Sequence, residues 1–156
     1  MPSRPSTTGC TAGSKTDILM SIRPLHMGNI ASRRKTHEFR IYLLPPSVKR
    51  IWFYTSAPVQ KLLYVAEISE GKKPGEIAAS DAGLGNKEFN EGKKKAGVYG
   101  YEILKLWEVG KGTKGKGFTL QKMKDEGWVK GPPQKYQWVK ADMLQALAGD
   151  GLKSVF

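Results

Sequence analysis

The order of apolar and polar residues predicts a short strand followed directly by a helix near the start of the ordered chain. Ile18–Ile22 is an apolar run of strand length. Pro24 suits the first turn of a helix, and Met27 and Ile30 follow it at helical spacing. We therefore predict a strand over 18–22 and a helix from Pro24 to about Arg34, where a basic run suits the negative end of the helix dipole.

The clearest strand signal is the strict alternation of Thr36–Tyr42, which gives one polar and one apolar face. The polar face carries an acid and a base, Glu38 and Arg40. His37 lies on the opposite face with Phe39, and that position favours a packed histidine over a catalytic one.

Several other segments are rich in β-branched and aromatic residues, as strands are. The predicted strands are Val48–Ser56, Leu62–Ser69, Val98–Val109 and Lys135–Val139. Short helices are predicted at Pro74–Ser80, Asn86–Lys94, Leu120–Glu126 and Ala141–Leu147. Because the strands do not alternate with long crossover helices, the pattern disfavours a doubly wound sheet. It favours an α+β, mostly β fold, a small barrel of about six strands with short peripheral helices.

The 156 residues are expected to form one domain with additional segments at both ends. Residues 1–16 are rich in Ser, Thr, Gly and Pro without a hydrophobic period, which predicts a flexible tail. The domain is expected over residues 17–140, and residues 141–156 are expected to form a C-terminal helix and tail.

The charge of the chain indicates a class of partner. The chain has 26 basic and 14 acidic residues, a formal net charge of +12 and a pI near 9.8. Such an excess attracts polyanions, so we expect RNA, another nucleic acid or a nucleotide as the partner. Charge that serves only solubility is the alternative. No apolar run approaches the ~18 residues of a membrane span, so no membrane partner is expected.

Cysteine and histidine are too few for a disulfide or a convincing metal site. Cys10 is the only cysteine, so an intramolecular disulfide cannot form. Two histidines and one cysteine do not make a zinc site, and we expect no metal and no cofactor. Since no apolar secretory segment follows the first residues, we expect an intracellular protein, cytoplasmic or nuclear, and a monomer.

Two basic turns suggest additional contacts to a nucleic acid. Gly110–Gly117 alternates Lys and Gly but lacks the G-x-x-x-x-G-K-[ST] pattern of a nucleotide-hydrolysing loop. Its Lys114 and Lys116 predict a loop that follows a nucleic-acid backbone, with a solvated hairpin loop as the alternative. Trp128, in a Gly-bounded turn with Lys130, is the best candidate for an exposed ring on which a base stacks.

The segment most informative about function is Ser21–Arg40, in which polar residues bracket the predicted helix. If the helix crosses the mouth of a barrel, both ends of this set converge on one cleft. There Arg40 can grip a phosphate or a base edge through its fork of donors, and Lys35 supplies a point charge or a base. Glu38 can accept from an exocyclic amine or hold an arginine in place. The alternative is a set of ion pairs on a solvated strand face, each contributing about 0–1 kcal/mol.

This segment resembles the ASCH family, whose signature joins a short S-I-x-P strand end, a helix, and K-x-x-E-x-R at the next strand. The matching residues in this chain are Ser21, Ile22, Pro24, Lys35, Glu38 and Arg40. The Pro132-Pro133-Gln134 turn before an aromatic strand, and the end of strand Val48–Ser56, also resemble blocks of that family. The resemblance extends over roughly Asp17 to Lys140.

The resemblance implies a PUA-like β-barrel whose cleft holds RNA or a nucleotide, with positions 35, 38 and 40 at its centre. The family also includes amidohydrolases that act on N-acylated cytidine, and members described as ribonucleases. In those amidohydrolases a threonine nucleophile lies three positions after the lysine, where this chain has Glu38. We therefore predict a nucleic-acid-binding module. The alternative is a hydrolase of RNA or of a modified nucleoside that uses Lys35 and Glu38. The predicted binding residues are Ser21, Arg23, Arg33, Arg34, Lys35, Glu38, Arg40, Ser56, Lys114, Lys116, Trp128 and Lys130.

Overall fold

A computed structural model of the chain describes residues 14–94, 98–110 and 117–156. Most of the predicted N-terminal tail lies outside the described residues, as does the part of the Gly-Lys loop that carries Lys114 and Lys116. Residues 14–16 are hydrogen-bonded to the domain. The Ser14 N–H donates to the Val139 carbonyl at 2.8 Å, and the Thr16 carbonyl accepts from the Lys49 N–H at 2.7 Å.

The described residues form one curled, mixed sheet with a few short helices. Its strands are β1 (Asp17–Ile22), β2 (His37–Arg40), β3 (Arg50–Thr55), β4 (Lys61–Ile68), β5 (Tyr99–Val109), β6 (Phe118–Thr119), β7 (Gln137–Trp138) and β8 (Leu152–Ser154). The main path runs β2-β5-β4-β3-β1-β7, with β6 beside β4 and β8 beside β5. These six path strands make a half-barrel, which confirms the predicted α+β, mostly β architecture of about six strands with short helices.

Short helices connect or flank the strands. They are α1 (Pro24–Ala31), α2 (Asn86–Asn90), α3 (Leu120–Asp125) and α4 (Ala141–Asp150). Helix α1 links β1 to β2, and β3 then returns parallel to β1, whereas the other described strand pairs are antiparallel. In the described part of the chain, no helix combines the length and apolarity needed to cross a membrane.

Some predicted elements differ from the structure. The helix predicted at Pro74–Ser80 is absent, and that stretch forms turns. Helix α1 stops before Arg34 because Arg33 adopts a left-handed φ of 67°. Strand β8 was not predicted, since its three residues form a strand only by pairing with the distant β5.

The two ends of the sheet path meet through side chains. Arg40, the last residue of β2, donates from Nη2 to the Ser21 carbonyl of β1 at 3.0 Å. The Tyr42 hydroxyl, just beyond β2, donates to the Lys135 carbonyl ahead of β7 at 3.0 Å. Side chains therefore bridge the junction between β2 and the β1–β7 pair. We call this junction the seam.

Two apolar clusters fill the interior on the two faces of the sheet. The alternation of β1 and β3 divides their residues between the clusters: Ile18 and Phe53 join one, and Leu19 and Trp52 join the other. The first cluster also contains Ile30 of α1, so packing on the sheet fixes this helix beside the seam. The helix therefore positions the polar residues at both of its ends.

Candidate functional site

A cavity of about 310 Å³ opens at the seam, beside the start of α1. This volume lies at the lower end of the range for small-molecule pockets. Its lining residues come from β1, the start of α1, β2 and the end of β3: Ser21, Ile22, Arg23, His26, Glu38, Phe39, Arg40 and Ser56. The structure thus brings Ser21, Arg23, Glu38, Arg40 and Ser56 to one cavity from three separate segments of the sequence. Lys35, which the predicted convergence also included, is not in the lining and meets the cleft only through its pair with Glu38.

Glu38 is the anionic centre of this cleft. Its side chain is only 7% exposed, and its two oxygens face different cations. Oε1 lies 3.5 Å from Lys35 Nζ, and Oε2 accepts from Arg40 Nε at 2.9 Å and from Nη2 at 2.6 Å. Lys35 is 11% and Arg40 is 22% exposed, so the set is more enclosed than the alternative of a solvated strand face supposes. Of the two roles predicted for Glu38, the structure shows that of holding an arginine.

Arg40 is fixed at the seam by bonds on two sides. Its Nε and Nη2 bind Glu38, and Nη2 also binds the Ser21 carbonyl. The guanidinium also forms a side-chain hydrogen bond with Tyr42, which lies just beyond β2. A guanidinium held in this way loses little conformational entropy when it binds a planar carboxylate or phosphate edge. The cleft therefore presents a pre-oriented cation.

The Pro-Pro-Gln turn forms part of the same neighbourhood. The Ser21 Oγ donates to the Pro133 carbonyl at 2.7 Å across 112 residues of sequence. This bond ties the end of β1 to the turn that precedes β7. Two of the three segments on which the resemblance rested are therefore in direct contact.

His26 lines the cleft but was not predicted as a site residue. It lies in the first turn of α1, three residues after Arg23, and this spacing directs both toward the same side. Burial lowers the pKa of His26, and the neighbouring Lys35 lowers it further, while Glu38 opposes the shift. The imidazole is therefore neutral at pH 7 and can accept or donate one hydrogen bond.

Several predicted binding residues lie outside the cleft lining. Arg33 packs its guanidinium 4.3 Å from the centroid of the Phe156 ring, and Arg34 and Lys130 are exposed. The prediction that Trp128 offers an exposed ring is wrong, because its side chain is only 3% exposed. It packs edge-on against Phe118 in the second core cluster.

A different set of rings is accessible near the seam. Tyr42 contacts Tyr136 with ring centroids 5.8 Å apart, and Tyr136 meets Trp138 edge-on at 6.4 Å. Trp138 is 37% exposed, and Lys135 lies over the Tyr42 ring at 4.8 Å. Burial raises the pKa of Tyr42, so its hydroxyl remains protonated at neutral pH. These rings lie near the seam, but none of them is in the lining of the cleft.

His37 belongs to a separate, enclosed polar cluster, as its place on the apolar face predicts. Its ring is fully buried, with Nδ1 2.9 Å from Thr36 Oγ1 and Nε2 3.1 Å from Lys72 Nζ. The Thr36 hydroxyl also donates to Asp81 Oδ1 at 3.0 Å, which ties the loop after β4 to β2. Burial and the Lys72 ammonium lower the pKa of His37, while Asp81 and Glu102 oppose the shift.

This histidine makes stability depend on pH. Above pH 6.5 the ring is neutral in both the folded and the unfolded chain, so it does not make the free energy of unfolding depend on pH. Below pH 6.5 the unfolded chain gains the proton before the folded chain does, so the free energy of unfolding falls. His37→Gln should reduce the fall in the free energy of unfolding between pH 6.5 and 5. One titrating group changes this free energy by at most about 1.4 kcal/mol per pH unit. Urea unfolding at a series of pH values measures it. The pKa of His26 is lowered as well, but its side chain is exposed, so His26→Gln should reduce the fall less than His37→Gln does. An unchanged slope in His37→Gln would contradict the assignment.

Solved structures of an ASCH protein from Zymomonas mobilis have the same fold as this chain. One is 20% identical, with a TM-score of 0.60 over 87% of this chain and 96% of that chain. A serine-to-alanine variant of the same protein is 21% identical, with a TM-score of 0.62 over 88% and 97%. A tyrosine-to-phenylalanine variant is 20% identical, with a TM-score of 0.62 over 86% and 98%. No protein-family model and no curated protein matches the sequence. The predicted ASCH resemblance is thus confirmed at the level of the fold.

Proposed function

We propose that this protein binds nucleic acid, with RNA as the expected ligand, by holding one nucleotide in the cleft at the seam. The observation that carries the proposal is the convergence of Arg40, Glu38 and Ser21 on one cavity, with Arg40 oriented by the other two. A pre-oriented guanidinium suits a phosphate or the edge of a base. The net charge of +12 supplies long-range attraction for a polyanion.

The surroundings of the cleft support a nucleotide more than a simple anion. Ile22 and Phe39 give the cavity apolar walls, and His26 and Ser56 add polar groups of either donor or acceptor character. Apolar walls with a few polar groups suit a base and a ribose, whereas a phosphate alone needs only the cations. The fold is that of a solved ASCH structure. The resemblance to the ASCH family implies a cleft for RNA or nucleotides, which agrees with the proposed binding of a nucleotide.

The hydrolase alternative has less support from the local geometry. It requires Lys35 to act with Glu38 or with a hydroxyl that becomes a nucleophile. In the described structure Lys35 pairs with Glu38, the Ser21 hydroxyl is bound to Pro133, and the Thr36 hydroxyl is bound to Asp81. The engagement of these groups favours binding over covalent catalysis, and Ser56 in the cleft lining is the remaining candidate hydroxyl for the hydrolase alternative.

Binding to short oligonucleotides tests the proposal. Wild type, Lys35→Ala and Arg40→Ala are titrated with single-stranded and duplex RNA and DNA at several salt concentrations, and the products are run on a gel. We expect log K to fall linearly with log salt, and Arg40→Ala to lose about tenfold to a hundredfold in affinity, since it removes charge-assisted hydrogen bonds. Lys35→Ala should lose less, because Lys35 supplies a point charge rather than a fork of donors.

The controls separate the cleft from general charge. Lys153→Ala removes an exposed cation from β8 and should change affinity less than twofold. Equal losses in Lys153→Ala and Arg40→Ala would mean that net charge, not the cleft, binds the nucleic acid. Shortened oligonucleotide that disappears in Lys35→Ala would identify a nuclease. Absence of binding to every oligomer would refute the proposal.

A further inference from the structure

A second cavity adjoins the cleft and shares two of its residues. It has a volume of about 450 Å³ and is lined by Phe39, Arg40, Ile41, Glu88, Lys93, Lys94 and Val98. Phe39 and Arg40 line both cavities, so the two cavities adjoin at these consecutive residues of β2. The second cavity therefore borders the same residues of β2 as the cleft does.

The shared wall between the cavities is the ring of Phe39. In the register of β2 with β5, Phe39 lies opposite Gly100, and a Cβ at that glycine would lie 3.2 Å from the ring. The ring also packs against Phe89 of α2, with centroids 5.0 Å apart. These contacts hold the ring in place between the cavities.

Two ammonium groups lie close to this ring. Lys35, which is tied to the first cavity by its pair with Glu38, lies 5.1 Å from the ring centroid. Lys94, in the second cavity, lies 4.7 Å from it. Two cations, one paired with Glu38 of the cleft and one in the lining of the second cavity, thus lie near one ring.

The charges of the second cavity favour an anion. Arg40, Lys93 and Lys94 are cationic, and Glu88 is the single acid in its lining. Lys93 is 69% exposed, and its ion pair with Glu91 is a surface contact. An anionic ligand can therefore replace Glu91 at little cost in free energy. The cavity therefore keeps a net positive charge next to the nucleotide-sized cleft.

We infer that the second cavity binds the backbone phosphate of the nucleotide that adjoins the one in the cleft. The ligand is then a phosphodiester-linked strand of at least two nucleotides, and not a free nucleoside or mononucleotide. This inference rests on the proposed function of the cleft and adds the class of its ligand. It assigns Lys93 and Lys94, which lie outside the cleft, to binding.

The test compares a nucleoside 5′-monophosphate with a single-stranded oligoribonucleotide of eight residues. The variants are Lys93→Ala/Lys94→Ala, Arg40→Ala, and the matched control Lys105→Ala/Lys153→Ala. The control removes the same charge from exposed positions on β5 beyond its pairing with β2 and on β8. Thermal melting first confirms that each variant is folded.

For Lys93→Ala/Lys94→Ala we expect about tenfold weaker oligonucleotide binding near 0.1 M salt and an unchanged mononucleotide affinity. The slope of log K against log salt should become shallower by about 1.4, because two phosphate contacts on a single strand are lost. The control should change neither affinity by more than twofold. Equal effects of the two double variants on the oligonucleotide, or an equal loss of mononucleotide binding, would overturn the inference.

Arg40→Ala distinguishes failure of the inference from failure of the proposed function. If Arg40→Ala weakens both ligands while Lys93→Ala/Lys94→Ala weakens neither, the cleft stands and the second phosphate site is refuted. If Arg40→Ala weakens neither ligand, the cleft is refuted, and the inference that depends on it falls as well.

Discussion

Asp17→Ala should lower the free energy of unfolding by about 3 kcal/mol, although Asp17 lies at the very start of the domain. Its side chain is fully buried, and Oδ2 accepts from Trp52 Nε1 at 2.8 Å. Oδ1 accepts from the Thr16 hydroxyl at 2.7 Å, and Oδ2 also lies 3.0 Å from Arg50 Nε. Removing the carboxylate leaves the indole N–H of a fully buried tryptophan without its acceptor.

Most of this loss should come from the tryptophan rather than from the ion pair. The Arg50 side chain is 37% exposed, so water screens its charge when the partner is removed. The orphaned Trp52 N–H has no such access, and an unsatisfied buried donor costs about 1–3 kcal/mol. The space left by the carboxylate lies in the second core cluster and adds to the loss.

Urea unfolding of three variants measures this effect. Asp17→Asn keeps one acceptor oxygen and should lose about half as much stability as Asp17→Ala. Glu70→Ala removes an exposed carboxylate and should stay within about 0.5 kcal/mol of wild type. If Asp17→Ala unfolds at the same urea concentration as Glu70→Ala, the buried hydrogen bond of Trp52 does not contribute as described.

The residues of the cleft could be predicted because their signals are local. The alternation of Thr36–Tyr42 places Glu38 and Arg40 on one face of a strand, whatever the rest of the chain does. Pro24 marks the start of α1, and the helix brings its two flanking polar groups to one end of the sheet. The resemblance to a family then indicated that this end is a cleft.

Other features could not be predicted because they depend on contacts between distant segments. The burial of Trp128 follows from its packing on Phe118, and a Gly-bounded basic turn gives no sign of it. Asp17 borders a polar tail in sequence, and only the position of Trp52 on β3 shows that it is an interior acceptor. The second cavity likewise requires the loop that carries Lys93 to fold back onto β2.

The seam connects the fold to the site. A closed barrel would pair β2 with the other end of the sheet path, the β1–β7 pair, through backbone groups. In the described structure the Arg40 side chain binds the Ser21 carbonyl across the junction. This bond takes the place of part of the backbone hydrogen bonding between strands. Arg40, a proposed binding residue, thus also holds the half-barrel together at this point, so its substitution should affect stability as well as binding.

Glu38→Ala combines both effects and is the second large prediction. It leaves Lys35 and Arg40 facing each other without the carboxylate that separates them, in a cleft where neither is more than 22% exposed. We expect the free energy of unfolding to fall by about 2–4 kcal/mol. Because Arg40 loses its orientation, oligonucleotide affinity at 0.15 M salt should also fall, by about tenfold. The slope of log K against log salt should become steeper, since the cleft has gained one net positive charge.

Glu38→Gln and Glu102→Ala show which property of Glu38 matters. Glu38→Gln retains the shape and one acceptor, so Arg40 stays oriented, and most of the affinity should remain. Glu102 pairs with Lys72 at 2.9 Å but is 39% exposed, so Glu102→Ala should cost about 0–1 kcal/mol and leave binding unchanged. Tighter oligonucleotide binding by Glu38→Ala at every salt concentration would show that the carboxylate only repels the ligand. Glu38 would then not be the residue that positions Arg40 for binding.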